Sequence, residues 1–242
     1  MVGSLLLRGM IAGLIAAVLA FGFAYAFGEP EVDYAIGLEE QKAAAAGEPE
    51  EPEIVSRATQ STIGLATGLL VYGAAIGGIF ALVFAWAYGR VTALGARATS
   101  ALLALAAFVS VALVPQIKYP ANPPAVGSAE TIGSRTSLFF ILLVVSIAAM
   151  VLAVALARRL CAERGAWTAG IIAGVAYLAV IAVVLFALPP VNEVPADFAA
   201  ERLWAFRAVT IGIHAILWTV IGLTFGALAE ARLEPRRRHA LA

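Results

Sequence analysis

Two histidines, one cysteine and a group of carboxylates at the ends of long apolar runs are the side chains of this sequence with chemistry to offer. His214 lies about two helical turns into the last apolar run, within Phe206-Arg207-Ala208-Val209-Thr210-Ile211-Gly212-Ile213-His214. An ionisable side chain at that depth is costly unless it faces protein or a wet cavity. Two readings stay open for it: a hydrogen bond between helices, or binding of a metal ion or a proton, both of which suit an imidazole. Glu29, Glu31, Asp33, Glu193 and Asp197 stand at the outer mouths of the apolar runs, where Arg57, Lys118, Arg135, Arg202 and Arg207 also gather. Either these acids and bases pair and hold the loops in register, or the acids form a negative entrance that concentrates a divalent cation. In the second case Glu29, Glu193, Asp197 and Asn122 line the entrance and His214 binds further in. Cys161 has no partner within the chain for a disulfide or a thiolate metal site and reads as a small filler. A nucleotide-binding glycine loop, an HExxH pair and paired cysteines are all missing, so the sequence argues against an enzyme and against a permanently bound cofactor.

The elements that position these residues are set by composition. With 62% hydrophobic and 13% charged residues, the chain lies far outside the range of soluble domains and reads as an integral membrane protein. Apolar runs long enough to cross a hydrocarbon core occur at about 5–27, 62–88, 98–116, 137–157, 167–188 and 207–229. The predicted fold is an all-α polytopic bundle of six transmembrane spans in one membrane domain, 1–242. Ala24-Tyr25-Ala26 has the small-x-small look of a cleavage site, but the long first run, with Gly9, Gly13 and Gly22, suits a retained, packed helix better.

Loop charges give the orientation. One set of loops and ends holds ten bases (Arg8, Arg90, Arg97, Arg158, Arg159, Arg164, Arg232, Arg236, Arg237 and Arg238) against three acids, and the other holds six bases against 13 acids. By the positive-inside rule the first set is cytoplasmic, which places both termini inside and a multi-pass chain in the plasma membrane. The basic tail, 230–242, with Arg236-Arg237-Arg238-His239, reads as an anchor for anionic headgroups. A formal net charge of zero leaves no basic surplus for nucleic acid, so the lipid bilayer is the expected surrounding.

The first outer loop, 28–57, holds nine acids around Ala43-Ala44-Ala45-Ala46-Gly47, and a helix is predicted from Val32 through the alanines, stopped by Pro49 and Pro52. Part of this loop is expected to be mobile. The second and third outer loops, 117–135 and 189–206, are rich in Pro and Asn and predict defined turns. Gly64, Gly68, Gly73, Gly77 and Gly78 are expected at close helix contacts, with two GxxxG pairs among them.

The block Pro115-Gln116-Ile117-Lys118-Tyr119-Pro120-Ala121-Asn122-Pro123-Pro124-Ala125-Val126-Gly127, followed by Glu130-Thr131-Ile132-Gly133-Ser134-Arg135-Thr136, resembles the CbtA family of predicted cobalt transporter subunits. Glu29-Pro30, Ser56-Arg57, Gln60, Tyr88-Gly89-Arg90, Gly165-Ala166-Trp167, Pro195-Ala196-Asp197-Phe198 and Phe206-Arg207 agree in order, so the resemblance covers nearly the whole chain. It implies import of cobalt beside a small partner subunit with one membrane span, and cobalt(II) or nickel(II) is the ion expected to be carried. Both ions favour imidazole over bare carboxylate, so selectivity would come from His214, Asn122, backbone carbonyls or the partner. A second function fits the same residues. Lys118 to Gly127 resembles a rigid recognition surface, as in a non-transporting accessory subunit that docks a larger membrane complex.

Overall fold

Small residues recur along the first apolar run at a helical spacing, and that stripe decides how the bundle closes. The computed structural model describes residues 2–47, 54–91 and 93–234. These form, in order, α1 (Val2–Phe27), α2 (Glu29–Ala46), α3 (Arg57–Ala87), α4 (Ala96–Lys118), a helical stretch Ile132–Ala187, and α7 (Ala200–Leu233). The long stretch is two helices, α5 (132–164) and α6 (166–187), because Gly165 has φ 73° and ψ 161°, outside any helix. No strand occurs among the described residues, so the structure is an all-α bundle of apolar helices long enough to cross a membrane.

The break at Gly165 is a reversal. In a straight helix Ser146 and Tyr177 would lie about 46 Å apart at 1.5 Å per residue. Their hydroxyls are in fact 3.0 Å apart and hydrogen-bonded. The chain therefore folds back as an αα-hairpin around Gly165, whose positive φ suits a residue without a side chain. With the stretch divided at Gly165, α1, α3, α4, α5, α6 and α7 are six apolar helices long enough to cross a membrane, the number predicted.

The chain separates into two compact units. The first contains Met1–Leu105, Asn122–Val126 and Asp197–Ala242. Here α1 buries Gly9, Ala12, Gly13, Ala16, Ala17, Ala20 and Ala24, and exposes larger residues such as Leu7, Val18 and Leu19. That is the order expected in lipid, where large apolar side chains gain nothing by leaving the acyl chains and small ones let backbones approach. Gly9 and Gly13 of α1 lie against Gly77 and Gly73 of α3, and a Cβ added at Gly73 would stand 2.5 Å from the Gly13 carbonyl oxygen. A second close contact joins α4 to α7. Gly222 and Gly226 face Ser100 and Ala104, and the Ser100 hydroxyl donates to the Gly222 carbonyl at 2.7 Å. Aromatic rings fill the space between α3 and α7: Phe84 and Phe80 meet Phe225 at 4.9 and 5.5 Å between ring centroids.

The second unit contains Ala106–Ala121 and Gly127–Ala196. Its core joins Val114 and Tyr119 at the end of α4 to Leu142 and Ala149 of α5 and Tyr177 and Ile181 of α6. The Tyr119 hydroxyl donates to the Pro189 carbonyl at 2.8 Å, tying the second outer loop to the third.

Two expectations are corrected. The helix in the first outer loop starts at Glu29, three residues before Val32, because Gly28 precedes it as N-cap and Pro30 sits in its first turn, where a missing N–H costs nothing. It ends at Gly47, which is left-handed (φ 72°) and donates its N–H to the Ala43 and Ala44 carbonyls. Pro49 and Pro52 and the acids Glu48, Glu50, Glu51 and Glu53 lie outside the described residues. The second correction concerns the glycines. Gly68 has no neighbour within 4 Å of an added Cβ, and Gly64 meets only its own helix, so this GxxxG makes no helix contact among the described residues.

Replacing Gly77 with Leu is expected to destabilise the bundle by about 3 kcal/mol through overpacking at a backbone contact. Gly68→Leu is expected to stay within about 0.5 kcal/mol of wild type. Thermal unfolding in mild detergent checks both, and equal losses would show that the α1–α3 approach is not what holds the first unit.

Candidate functional site

A carboxylate at the membrane edge must keep its water or find a cation, and the outer ends of this chain follow the second course. In the first unit the corner between α1 and α2 sets Glu29 and Asp33 one turn apart, and the start of α3 brings Arg57 to both. The Arg57 guanidinium pairs with the Glu29 carboxylate through Nη2 and with Asp33 through Nε at 2.8 Å. One face further round α2, Glu31 accepts from Arg202 at the start of α7, at 3.2 Å. Arg202 also lies over the Tyr34 ring, 5.1 Å from its centroid, and Tyr34 meets Phe198 edge-on at 5.8 Å. Lys42 near the end of α2 reaches Asp197 at 2.9 Å, but the two side chains are 40% and 58% exposed, so this pair is screened and adds little stability.

Asn122 and Arg207 complete this end of the first unit. Arg207 donates from Nη2 to Asn122 Oδ1 at 2.8 Å, and its Nε is buried without a partner. Arg207 makes no ion pair among the described residues. The amide oxygen predicted as an ion ligand is thus already engaged, and it sits beside a fixed positive charge. A divalent cation placed about 4 Å from that charge would meet a repulsion of about 8 kcal/mol at an effective dielectric of 20.

Two turns further along α7 stands His214. Its Nδ1 is buried and has no hydrogen-bond partner. Residues 207, 210 and 214 fall on one side of a helix, so Arg207, Thr210 and His214 form a polar stripe along an otherwise apolar span. The hydroxyl of Thr210 turns back to the Phe206 carbonyl at 2.9 Å and leaves the imidazole unsatisfied. A buried polar atom left in this way costs about 1–3 kcal/mol.

In the second unit Glu193 serves the second outer loop. Its Oε2 accepts the Ser128 N–H at 2.9 Å and the Thr131 hydroxyl at 2.8 Å, and it forms an ion pair with Arg135 at 3.4 Å. Arg135 in turn donates to the Ser128 carbonyl at 3.0 Å. Gly127 makes room for that guanidinium, since a Cβ there would lie 2.8 Å from Arg135 Cζ. Lys118 makes no ion pair among the described residues.

The residues predicted as ion ligands are accordingly not assembled into one donor set. Glu29, Asp197 and Glu193 are each taken up by a base close at hand, Asn122 by Arg207, and His214 stands apart within the span. Among the described residues no group of three or more His, Cys, Asp or Glu side chains is placed to hold a metal ion. The physical reason is the supply of bases: Arg57, Lys42 and Arg135 lie within reach of these acids, and charge-assisted pairing removes their oxygens from the ligand pool.

A family model described as "Probable cobalt transporter subunit (CbtA)" matches residues 2–230. The chain belongs to the CbtA family. Searches of curated proteins and of solved structures found no match. Membership in the family makes this chain a membrane subunit of a cobalt transporter, and helices long and apolar enough to cross a membrane supply the membrane part of that description. The family match also spans both loops that the ion pairs hold, from Glu29 to Arg207.

Sequence reasoning missed the inner-end contacts of the same chain. Glu234 accepts the Ala96 N–H at 2.8 Å and the Tyr88 hydroxyl at 2.6 Å, and Glu230 pairs with Arg97 at 2.7 Å. The available signal was that Glu230 and Glu234 are two of only three acids on the basic side of the membrane.

Hydrogen bonds from the Ser128 N–H and the Thr131 hydroxyl, with the Arg135 charge, hold the Glu193 carboxyl below its ordinary value. A depressed carboxylate gives stability that is full above its unfolded pKa and is lost as pH falls through the folded one. Amide hydrogen exchange in residues 127–135 is therefore expected to rise as pH falls below about 4, relative to the intrinsic rate. Glu193→Gln should already show the raised exchange at neutral pH and little further change on acidification. An acid response unchanged by that substitution would assign it elsewhere.

Proposed function

We propose that this chain is the multi-pass subunit of a plasma-membrane cobalt importer, in which His214 contributes one metal ligand inside the span and a second subunit contributes the rest. The observation that carries this reading is the buried, unpartnered nitrogen of His214. Imidazole suits cobalt(II) and nickel(II), and one imidazole is too few donors for either ion. The engagement of Glu29, Asp197, Glu193 and Asn122 by neighbouring bases supports a donor from outside the chain, such as a small subunit with one membrane span. Acidic outer loops raise the local concentration of a cation, and Glu39 and Glu40 on α2 are exposed for that purpose. The chain performs no covalent step and needs no resident cofactor.

No ATP-binding segment occurs in the sequence, so the driving force belongs to the membrane potential or to another protein. A potential of about 100 mV favours inward movement of a doubly charged ion by roughly 4.6 kcal/mol.

Cellular cobalt and nickel measured in cells expressing the chain, with and without a single-span partner, tests the proposal. Accumulation is expected only with both subunits, to collapse with a protonophore, and to fall at least about tenfold in His214→Ala, the loss of one good ligand. Unchanged metal content with correctly inserted protein would favour the docking-subunit reading. The observation behind that alternative is the rigid second outer loop, fixed through Tyr119, Asn122 and Ser128.

A further inference from the structure

At the cytoplasmic ends of the helices, some of the arginines have identifiable work. Arg90 donates to the Ala85 and Trp86 carbonyls at the end of α3, at 3.2 and 2.9 Å, and so caps that helix. Arg97 pairs with Glu230. The turn between α5 and α6 differs. Arg158, Arg159 and Arg164 are exposed and make no hydrogen bond or ion pair among the described residues, either to the last carbonyls of α5 or to a carboxylate. Glu163 is the one acid beside them, which leaves a surplus of two positive charges over residues 158–164, next to a run of eight exposed residues, 161–168.

Below this turn the surface changes character. Trp167, in the first turn of α6, is 82% exposed, as suits an indole at the headgroup level. Gly170, Ile171, Gly174 and Leu178 continue along the same side of α6, and a Cβ built at either glycine would meet nothing within 4 Å. Gly170 and Gly174 thus leave an open strip on the apolar face of α6 that begins at Trp167, beside Ile171 at 51% and Leu178 at 65% exposure.

We infer that the α5–α6 turn binds the headgroup of an anionic phospholipid of the inner leaflet through Arg158, Arg159 and Arg164, with an acyl chain laid over Gly170 and Gly174. The arginines alone would suit any phosphate. The open apolar face of α6 that follows the turn adds an apolar half, and the combination of unpaired cations, an exposed indole and an apolar helix face selects a lipid. Basic sites beside cytoplasmic helix ends recognise such headgroups at about a factor of five per arginine.

The test uses the purified full chain in phosphatidylcholine nanodiscs containing a minor fraction of phosphatidylglycerol, with retained lipid counted by native mass spectrometry. Wild type is expected to enrich phosphatidylglycerol, and R158Q/R159Q/R164Q to lose roughly a hundredfold in that preference while binding phosphatidylcholine unchanged. The G170L/G174L variant keeps every charge, and it is expected to retain phosphatidylglycerol several-fold less well. In intact cells, Cys161 of each variant is expected to react with an impermeant maleimide only after permeabilisation, which checks that the turn stays on the inner side. Enrichment unchanged in the glutamine variant would overturn the proposal. So would full displacement by inorganic phosphate in a protein indifferent to the glycine substitutions, since that outcome describes a free-phosphate site.

Discussion

The backbone contact between α1 and α3 is the constraint on which the first unit depends. Gly9 and Gly13 face Gly77 and Gly73 so closely that no side chain fits at any of the four positions. In water such a contact would be weak, because it buries little apolar surface. Within lipid the reasoning is reversed: burial of large side chains gains nothing, and close van der Waals packing of backbones is what remains to hold helices together. Once α1 and α3 lie in contact, the α1–α2 corner and the start of α3 arrive at the same membrane edge. Arg57 can then serve Glu29 and Asp33 together.

Charge follows from that placement. The edge carries acids in excess, and several of them meet bases: Glu31 meets Arg202, Asp197 meets Lys42, and Glu193 meets Arg135. Partly desolvated ions need partners more than exposed ones do, and Glu29 and Glu31, with side chains 14% and 12% exposed, are the most enclosed of the set. Exposed acids such as Glu39 and Glu40 keep their water and stay free to attract counter-ions. The same carboxyl chemistry therefore divides into two uses according to burial. Enclosed acids build the edge, and exposed ones shape the field outside it.

Much of this was legible in the sequence, and the illegible parts have definite causes. Spans could be read because apolar length is a one-dimensional property, and the reversal near Gly165 was visible as Arg158, Arg159 and Arg164 interrupting two apolar runs. Pairing was harder. Arg57 and Glu29 are 28 positions apart and Arg202 and Glu31 are 171 apart, so their partnership depends on which helices lie side by side. The glycine motifs show the same limit from another direction. Gly64 and Gly68 match the GxxxG spacing as well as Gly73 and Gly77 do, but only the second pair finds another backbone opposite it, and the close approach at Gly222 and Gly226 depends on Ser100 and Ala104 of another helix. Spacing tells which residues share a helix face; it does not tell what that face meets.

His214 brings these threads together. Its neighbour on the same side of α7, Arg207, is fixed by Asn122, and this arrangement keeps a positive charge at the outer end of the stripe. A bare divalent cation would be repelled there, whereas a ligand brought by another polypeptide would not. On the proposed function, then, an ion would approach His214 in company with further donors, and the charge of Arg207 would act against cations that come alone. Selectivity in such a scheme rests on the completed ligand set, since a lone imidazole ranks first-row metals only by their general affinity order. On that proposal the chain would contribute the frame, one ligand and an electrostatic barrier to uncoordinated ions, a division of tasks that fits a subunit in which Glu29, Glu31, Glu193 and Asp197 are engaged by bases.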